Sequence, residues 1–183
     1  MFFNGWMREG FLSWFPSYFE EVHGIETGSS LFTIATTGIT IGGMIGALLA
    51  GFISDHYFHS RRSPVVLVYF FMQIVCLLVF YLSSGKFPAV VMTGAIFWHV
   101  VGCMTMIEAS ATDMAGSKLA GIGSGFMNSC QYLGSGLGPL VTGYLVDNYG
   151  WDAWFYGLLP LPVLGFLLFS VIEYRQQKNM KEK

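Results

Sequence analysis

The chain has 183 residues, 54% of them hydrophobic and only 11% charged, with a formal net charge of −2 and a mean hydropathy of +0.56. A soluble domain carries about 25% charged residues, so this chain cannot coat a water-facing surface of its size. Disorder, a collagen-like repeat and a nucleic-acid binder are excluded by the same figures, and the expected class is an all-α, polytopic membrane protein.

A bilayer core of about 30 Å takes roughly 20 apolar helical residues to cross. Six spans are predicted, at about residues 2–22, 30–54, 65–83, 89–112, 121–146 and 153–172. Breakers stand between them: His23-Gly24 and Gly28, Ser84-Gly85, Gly116-Ser117, Asn148 and Gly150.

The first span carries Arg8, the strongest candidate for substrate contact. An arginine near a helix centre costs at least ~2.5–3.5 kcal/mol to insert, and its planar fork suits phosphate or carboxylate. Asn4 lies one turn earlier on the same helical face. The bland alternatives are that Arg8 snorkels to the interface or pairs with Glu9. Adjacent helical residues point about 100° apart, which makes that pair geometrically poor. Trp14 and Tyr18 read as interfacial anchors at the outer end, and Pro16 as a bend.

The second span has Gly38, Gly42, Gly46 and Ala50 every four residues, with Gly43, Ala47 and Gly51 beside them. Small residues so spaced let helix backbones approach closely. Thr33, Thr37 and Thr40 share a face and read as satisfying their own backbone. Gly51 and Asp55, followed by Arg61 and Arg62, form a candidate gate at the end of the span, where a carboxylate can meet a helix N-terminus and the arginines.

In the fourth span His99 lies near the midplane, with Gly102, Cys103 and Met106 on its face. It reads either as a helix brace or as a proton-coupling or substrate residue. Glu108, near the end of that span, is a second candidate for proton coupling. The fifth span has Gly121, Gly125, Gly134 and Gly138, and a polar stripe of Asn128, Tyr132 and Ser135 that can line a cavity. Pro139, Pro160 and Pro162 are further candidate bends.

Lysines and arginines sort the loops. Arg61, Arg62, Lys118, Arg175, Lys178, Lys181 and Lys183 fall after even-numbered spans, against Lys86 alone on the other side. Both termini are therefore expected in the cytoplasm. Gly51–Asp55 and Gly143–Asp147 end spans two and five with the same Gly-x-x-x-Asp pattern, 92 residues apart and on opposite sides. Arg8 and His99 are 91 apart. Such offsets predict two inverted three-helix repeats, about 1–84 and 85–174, followed by a cytoplasmic tail, 175–183.

No His-Glu-x-x-His, phosphate-cradling loop or Ser/His/Asp set occurs, so an enzyme is not expected. The wide spacing of Cys76, Cys103 and Cys130 predicts neither disulfides nor a metal site. No cofactor is expected.

Taken over its whole length, the chain resembles the C-terminal half, helices seven to twelve, of a major facilitator superfamily transporter. Within that superfamily, Arg8-Glu9-Gly10-Phe11-Leu12-Ser13-Trp14-Phe15-Pro16-Ser17-Tyr18 is similar to the seventh helix of organophosphate:phosphate antiporters, the glycerol-3-phosphate and hexose-phosphate carriers. Gln131-Tyr132-Leu133-Gly134 and Val146-Asp147-Asn148-Tyr149-Gly150-Trp151-Asp152 are similar to their eleventh helix and following loop. Gly51–Asp55 with Arg61-Arg62 resembles the superfamily's loop motif, with His56 replacing its usual basic residue. Ser13 stands where those carriers often have an acid, and Glu9 is an unexpected charge.

The resemblance implies a phosphate-binding role for Arg8 and a substrate contact at Tyr132. It implies exchange of an organophosphate or sugar phosphate for inorganic phosphate by alternating access in the inner (cell) membrane. The expected partners are a small anionic substrate, membrane lipid, and an N-terminal six-helix half from the same gene or a separate chain; no nucleic acid is expected. Two other readings stand beside this: a proton-coupled symporter of organic anions such as sugar acids, and a non-transporting membrane sensor of a phosphate ester.

Overall fold

The computed structural model describes residues 1–83 and 85–181; Ser84 of the third loop and Lys183 of the tail lie outside the described residues. Among the described residues eight helices occur, in the order α1 (Phe2–Leu12), α2 (Phe15–His23), α3 (Ser30–Tyr57), α4 (Arg62–Leu82), α5 (Lys86–Ala115), α6 (Ala120–Tyr149), α7 (Trp151–Leu158) and α8 (Pro160–Lys181). They make six rods, because α1–α2 and α7–α8 are each one rod with a break. The first break precedes Pro16, in the first turn of α2, and the second immediately precedes Pro160. A proline has no N–H to continue the preceding turn, but fits the first turn of a new helix.

Ends are set locally. The Ser29 hydroxyl accepts the Phe32 N–H and caps α3. Gly24, in the left-handed region at φ 57°, ends α2 and lets the Ile25 N–H reach back to the Phe19 carbonyl. Among the described residues, Ser30–Tyr57, Arg62–Leu82, Lys86–Ala115 and Trp151–Arg175 are long and apolar enough to cross a membrane. Helix α6 is also 30 residues long, but its glycine, serine, asparagine and glutamine content dilutes the apolar signal that the expected fifth span needs.

Helix α5 is central, packing on α3, α4, α6 and α1, while α1 packs mainly on α6 and α8. Two seams hold the bundle by backbone contact. In the α3–α5 seam a Cβ at Gly42 would run into the Gly94 carbonyl, and one at Gly46 into the Trp98 carbonyl. In the α1–α6 seam Gly134 meets the Phe2 carbonyl, and Gly138 the Trp6 carbonyl. Adding 92 to the α3 numbers and subtracting 92 from the α5 numbers turns the first seam into the second. On that register Val100, not His99, is the counterpart of Arg8, which corrects the 91-residue pairing expected from the sequence. Gly51, Gly121 and Gly125 have open space where a Cβ would go, so among the described residues they take no part in close packing.

The end of the bundle around α2 and α7 is filled by rings. Phe11, Tyr18, Phe19, Phe80 and Trp154 are buried together, with Tyr18 and Trp154 centroids 5.0 Å apart. The Trp154 indole donates to the Gly10 carbonyl at 3.0 Å. Tyr18 is therefore a core residue rather than the interfacial anchor that the sequence suggested, and Trp14 spends its N–H on the Pro139 carbonyl at 3.0 Å. Aromatic pairs of this kind contribute about 0.5–1.5 kcal/mol each beyond their burial.

Candidate substrate site and its supporting polar groups

Arg8 lies six residues into α1, about 9 Å from the helix start at 1.5 Å per residue. Its Nη1 is 3.4 Å from Glu9 Oε1, and the two side chains are 37% and 30% exposed. The expected angular obstacle does not hold, because two long side chains can lean across the roughly 100° between them. Among the described residues no other ion pair or hydrogen bond engages the guanidinium. It is a half-exposed cation with a fork of donors, able to take two oxygens of a phosphate or carboxylate.

Asn4 does not accompany it. Asn4 is 1% exposed, donates Nδ2 to the Val100 carbonyl at 2.9 Å and accepts from Gln73 Nε2 at 3.1 Å. Both ends of its amide are used inside the bundle, tying α1 to α5 and α4. Asn4 therefore shares a helical face with Arg8 but spends its amide inside the bundle, where it was expected as a substrate contact. Gln73 was missed by the sequence reading, although an amide in the middle of the apolar run of α4 is a signal that could have found it.

His99 turns toward α4. Its Nδ1 is 2.7 Å from the Ala95 carbonyl of its own helix and 3.7 Å from Cys76 Sγ, and its ring lies edge-on to Tyr69 at 5.6 Å. These contacts seat the ring between α5 and α4.

The stripe on α6 divides. Ser135 donates to the Gly5 carbonyl at 3.3 Å. Asn128 donates to Glu108 Oε1 at 3.4 Å, beside Ser124, which donates to the same oxygen at 2.5 Å. Tyr132 is 71% exposed and faces out of the six-helix bundle. The structure thus joins Asn128 to Glu108 and joins neither to Arg8. Ser124 was also missed, since the register of α5 against α6 cannot be read from composition. On α3, Thr33 and Thr40 donate to the Ser29 and Thr36 carbonyls, the self-satisfaction expected of them.

Of the gate residues, Asp55 and Arg62 meet, while Arg61 turns to α8 and Gly51 takes no part. Arg62 reaches Asp55 at 3.0 Å and Asp113 at 3.5 Å, so it links α3 to the end of α5. Arg61 pairs with Glu173 of α8, which is 7% exposed. The tight connection uses left-handed backbone at His59 (φ 52°) and Ser60 (φ 63°), and the Ser60 hydroxyl holds Asp55 at 3.1 Å. Asp113 and Glu173 complete a lock of which the sequence suggested only one half. Among the described residues no cluster of His, Cys, Asp and Glu could hold a metal.

Broken rods, glycine seams and a guanidinium among apolar helices define a membrane-embedded, multi-pass helical protein. The sequence profile of the Major Facilitator Superfamily matches residues 1–183, and the chain belongs to that superfamily. It is 27% identical over 168 residues to the glycerol-3-phosphate transporter of Bacillus subtilis, covering 90% of this chain and 37% of that protein. It is 26% identical over 175 residues to the phosphoglycerate transporter protein of Salmonella typhimurium, covering 92% and 36%. It is 29% identical over 171 residues to the membrane sensor protein UhpC of Escherichia coli, covering 88% and 38%. The chain spans less than two-fifths of the length of these curated relatives.

Proposed function

We propose that the chain forms one six-helix half of a secondary active transporter for a small phosphate-bearing anion, an organophosphate or sugar phosphate exchanged for inorganic phosphate by alternating access. The observation that carries this reading is Arg8, a half-exposed guanidinium on α1 held only by its own neighbour. Transporters of glycerol 3-phosphate and phosphoglycerate among the relatives support the substrate class. The two inverted units, about 1–84 and 85–174, are supported by the 92-residue correspondence between the seams. Cytoplasmic termini are supported by the excess of lysine and arginine after the second and fourth spans and in the tail, against Lys86 alone on the other side.

Arg8 takes two phosphate oxygens, with a second cation supplied by the N-terminal half. Tyr132 and the exposed face of α6 complete the site against that half. Asn4 and His99 act behind it, as braces. The Arg62–Asp55–Asp113 lock opens when substrate leaves toward the cytoplasm. In the intact carrier, expressed from its complete gene, Arg8→Lys keeps the charge but loses the paired donors. Phosphate counterflow is expected to fall by about tenfold or more, the equivalent of one lost charge-assisted bond. Wild-type counterflow in that variant would sink the phosphate-fork reading.

A second reading rests on Glu108, which takes two hydrogen bonds yet forms no ion pair among the described residues. A carboxylate so placed is a proton carrier for an organic-anion symporter, and uptake driven by an imposed pH gradient without counter-substrate would favour it. The similarity to a membrane sensor favours a third, with saturable phosphate-ester binding and no flux as its signature.

A further inference from the structure

Neighbouring side chains on a helix diverge by about 100°, so Arg8 and Glu9 touch only because both lean across the surface of α1. They do so at 3.4 Å, on a half-exposed stretch where neither has another side-chain partner among the described residues. The Glu9 carboxylate thereby lies in ion-pair range of one Nη of the guanidinium fork, beside the place an oxygen of an incoming phosphate has to take.

We infer that Glu9 is a tethered stand-in for the substrate anion, bound to Arg8 when the site is empty and displaced when phosphate arrives. This rests on Arg8 being the phosphate ligand, and it adds a residue that sets affinity and exchange coupling. An incoming anion must outcompete a carboxylate held at high effective concentration, which raises the phosphate needed for half-saturation. A paired Arg8 also costs less than a bare guanidinium to carry, empty, through the low-dielectric stage of alternating access. The unloaded carrier therefore reorients, and one-way efflux accompanies exchange. With the carboxylate removed, the bare cation holds the empty carrier until an anion binds.

The test uses the intact carrier reconstituted in vesicles, with labelled inorganic phosphate as the probe. Efflux is measured into phosphate-free medium and into medium containing phosphate. In Glu9→Gln the ratio of net efflux to exchange is expected to fall about tenfold or more, with half-saturating phosphate several-fold lower. Glu9→Asp, one methylene shorter, should move both readouts in the same direction by smaller factors. A wild-type ratio and affinity in these variants overturns the inference. Arg8→Lys separates the two layers. Unimpaired counterflow there removes the phosphate reading itself, whereas impaired counterflow beside wild-type behaviour of the Glu9 variants removes only the stand-in.

Discussion

The α3–α5 and α1–α6 seams share a backbone clasp and differ in what they carry. Each sets two glycines one turn apart against two carbonyls of the facing helix, Gly42 and Gly46 on one side, Gly134 and Gly138 on the other. Beyond the clasp the chemistry diverges. Where α1 has Asn4, Arg8 and Glu9, the equivalent positions of α5 are Ile96, Val100 and Val101, all apolar. Of these, Ile96 and Val100 are buried in the main core. The α3–α5 seam is flanked by a shallow, mostly apolar groove of about 560 Å³, lined by Thr37, Ile41, Gly94 and Trp98 among others. The clasp is thus the structural constant, and the polar groups placed on one copy of it are what varies.

The largest expected effect tests the constant. Gly46→Val and Gly138→Val each drive a branched side chain into a carbonyl of the facing helix, Trp98 and Trp6 respectively. Backbone cannot yield as a flexible side chain can, so the cost meets or exceeds the about 1–3 kcal/mol usual for overpacking. Both variants should lose most folded protein from the membrane fraction. Survival of one and not the other would show that the two clasps are not equivalent.

The next effect tests the variable. Asn4→Leu strips partners from Gln73 Nε2 and from the Val100 carbonyl in a site that is 1% exposed. Unpaired buried groups cost about 1–3 kcal/mol, and Gln73 already has one orphaned oxygen there. At the equivalent position Ile96→Val deletes a methylene for about 0.5–1.5 kcal/mol. Thermal unfolding in detergent should rank Asn4→Leu as the more damaging. The reverse order would mean that the amide network is not what ties α1 to α4 and α5.

That contrast also marks how much was legible. The six rods, their glycine punctuation and the 92-residue offset were readable because they follow from hydropathy length and backbone chemistry. Arg8 stood out by its insertion cost, and the Asp55–Arg62 contact by its spacing along one tight connection. Asn4 shares a face of its helix with Arg8, but a 3.6-residue period ranks faces and does not say which neighbour each residue meets, so its bonds to Val100 and Gln73 were not legible. Glu108 with Ser124 and Asn128 depends on how α5 and α6 slide past each other, which no local pattern encodes. The Arg8–Glu9 contact was discounted from backbone angles alone, which neglect the reach of two long side chains.

The smallest effect separates the two Gly-x-x-x-Asp endings, alike in sequence and unlike in surroundings. Around Gly51 a Cβ meets open space, whereas at Gly143 it meets the six-membered ring of Trp14. That indole cannot swing aside freely, because its N–H is held by the Pro139 carbonyl at 3.0 Å. Alanine at position 51 costs nothing in packing and improves helix propensity by up to about 1 kcal/mol over glycine. The same change at 143 gains the same propensity but displaces a pinned ring. Gly51→Ala should therefore raise the unfolding midpoint by about 2–4 °C, and Gly143→Ala should lower it. Equal shifts in the two variants would mean that the Trp14 anchor gives way at no cost. The close fit at the Trp14 end of the α1–α6 seam would then contribute nothing to holding that seam shut.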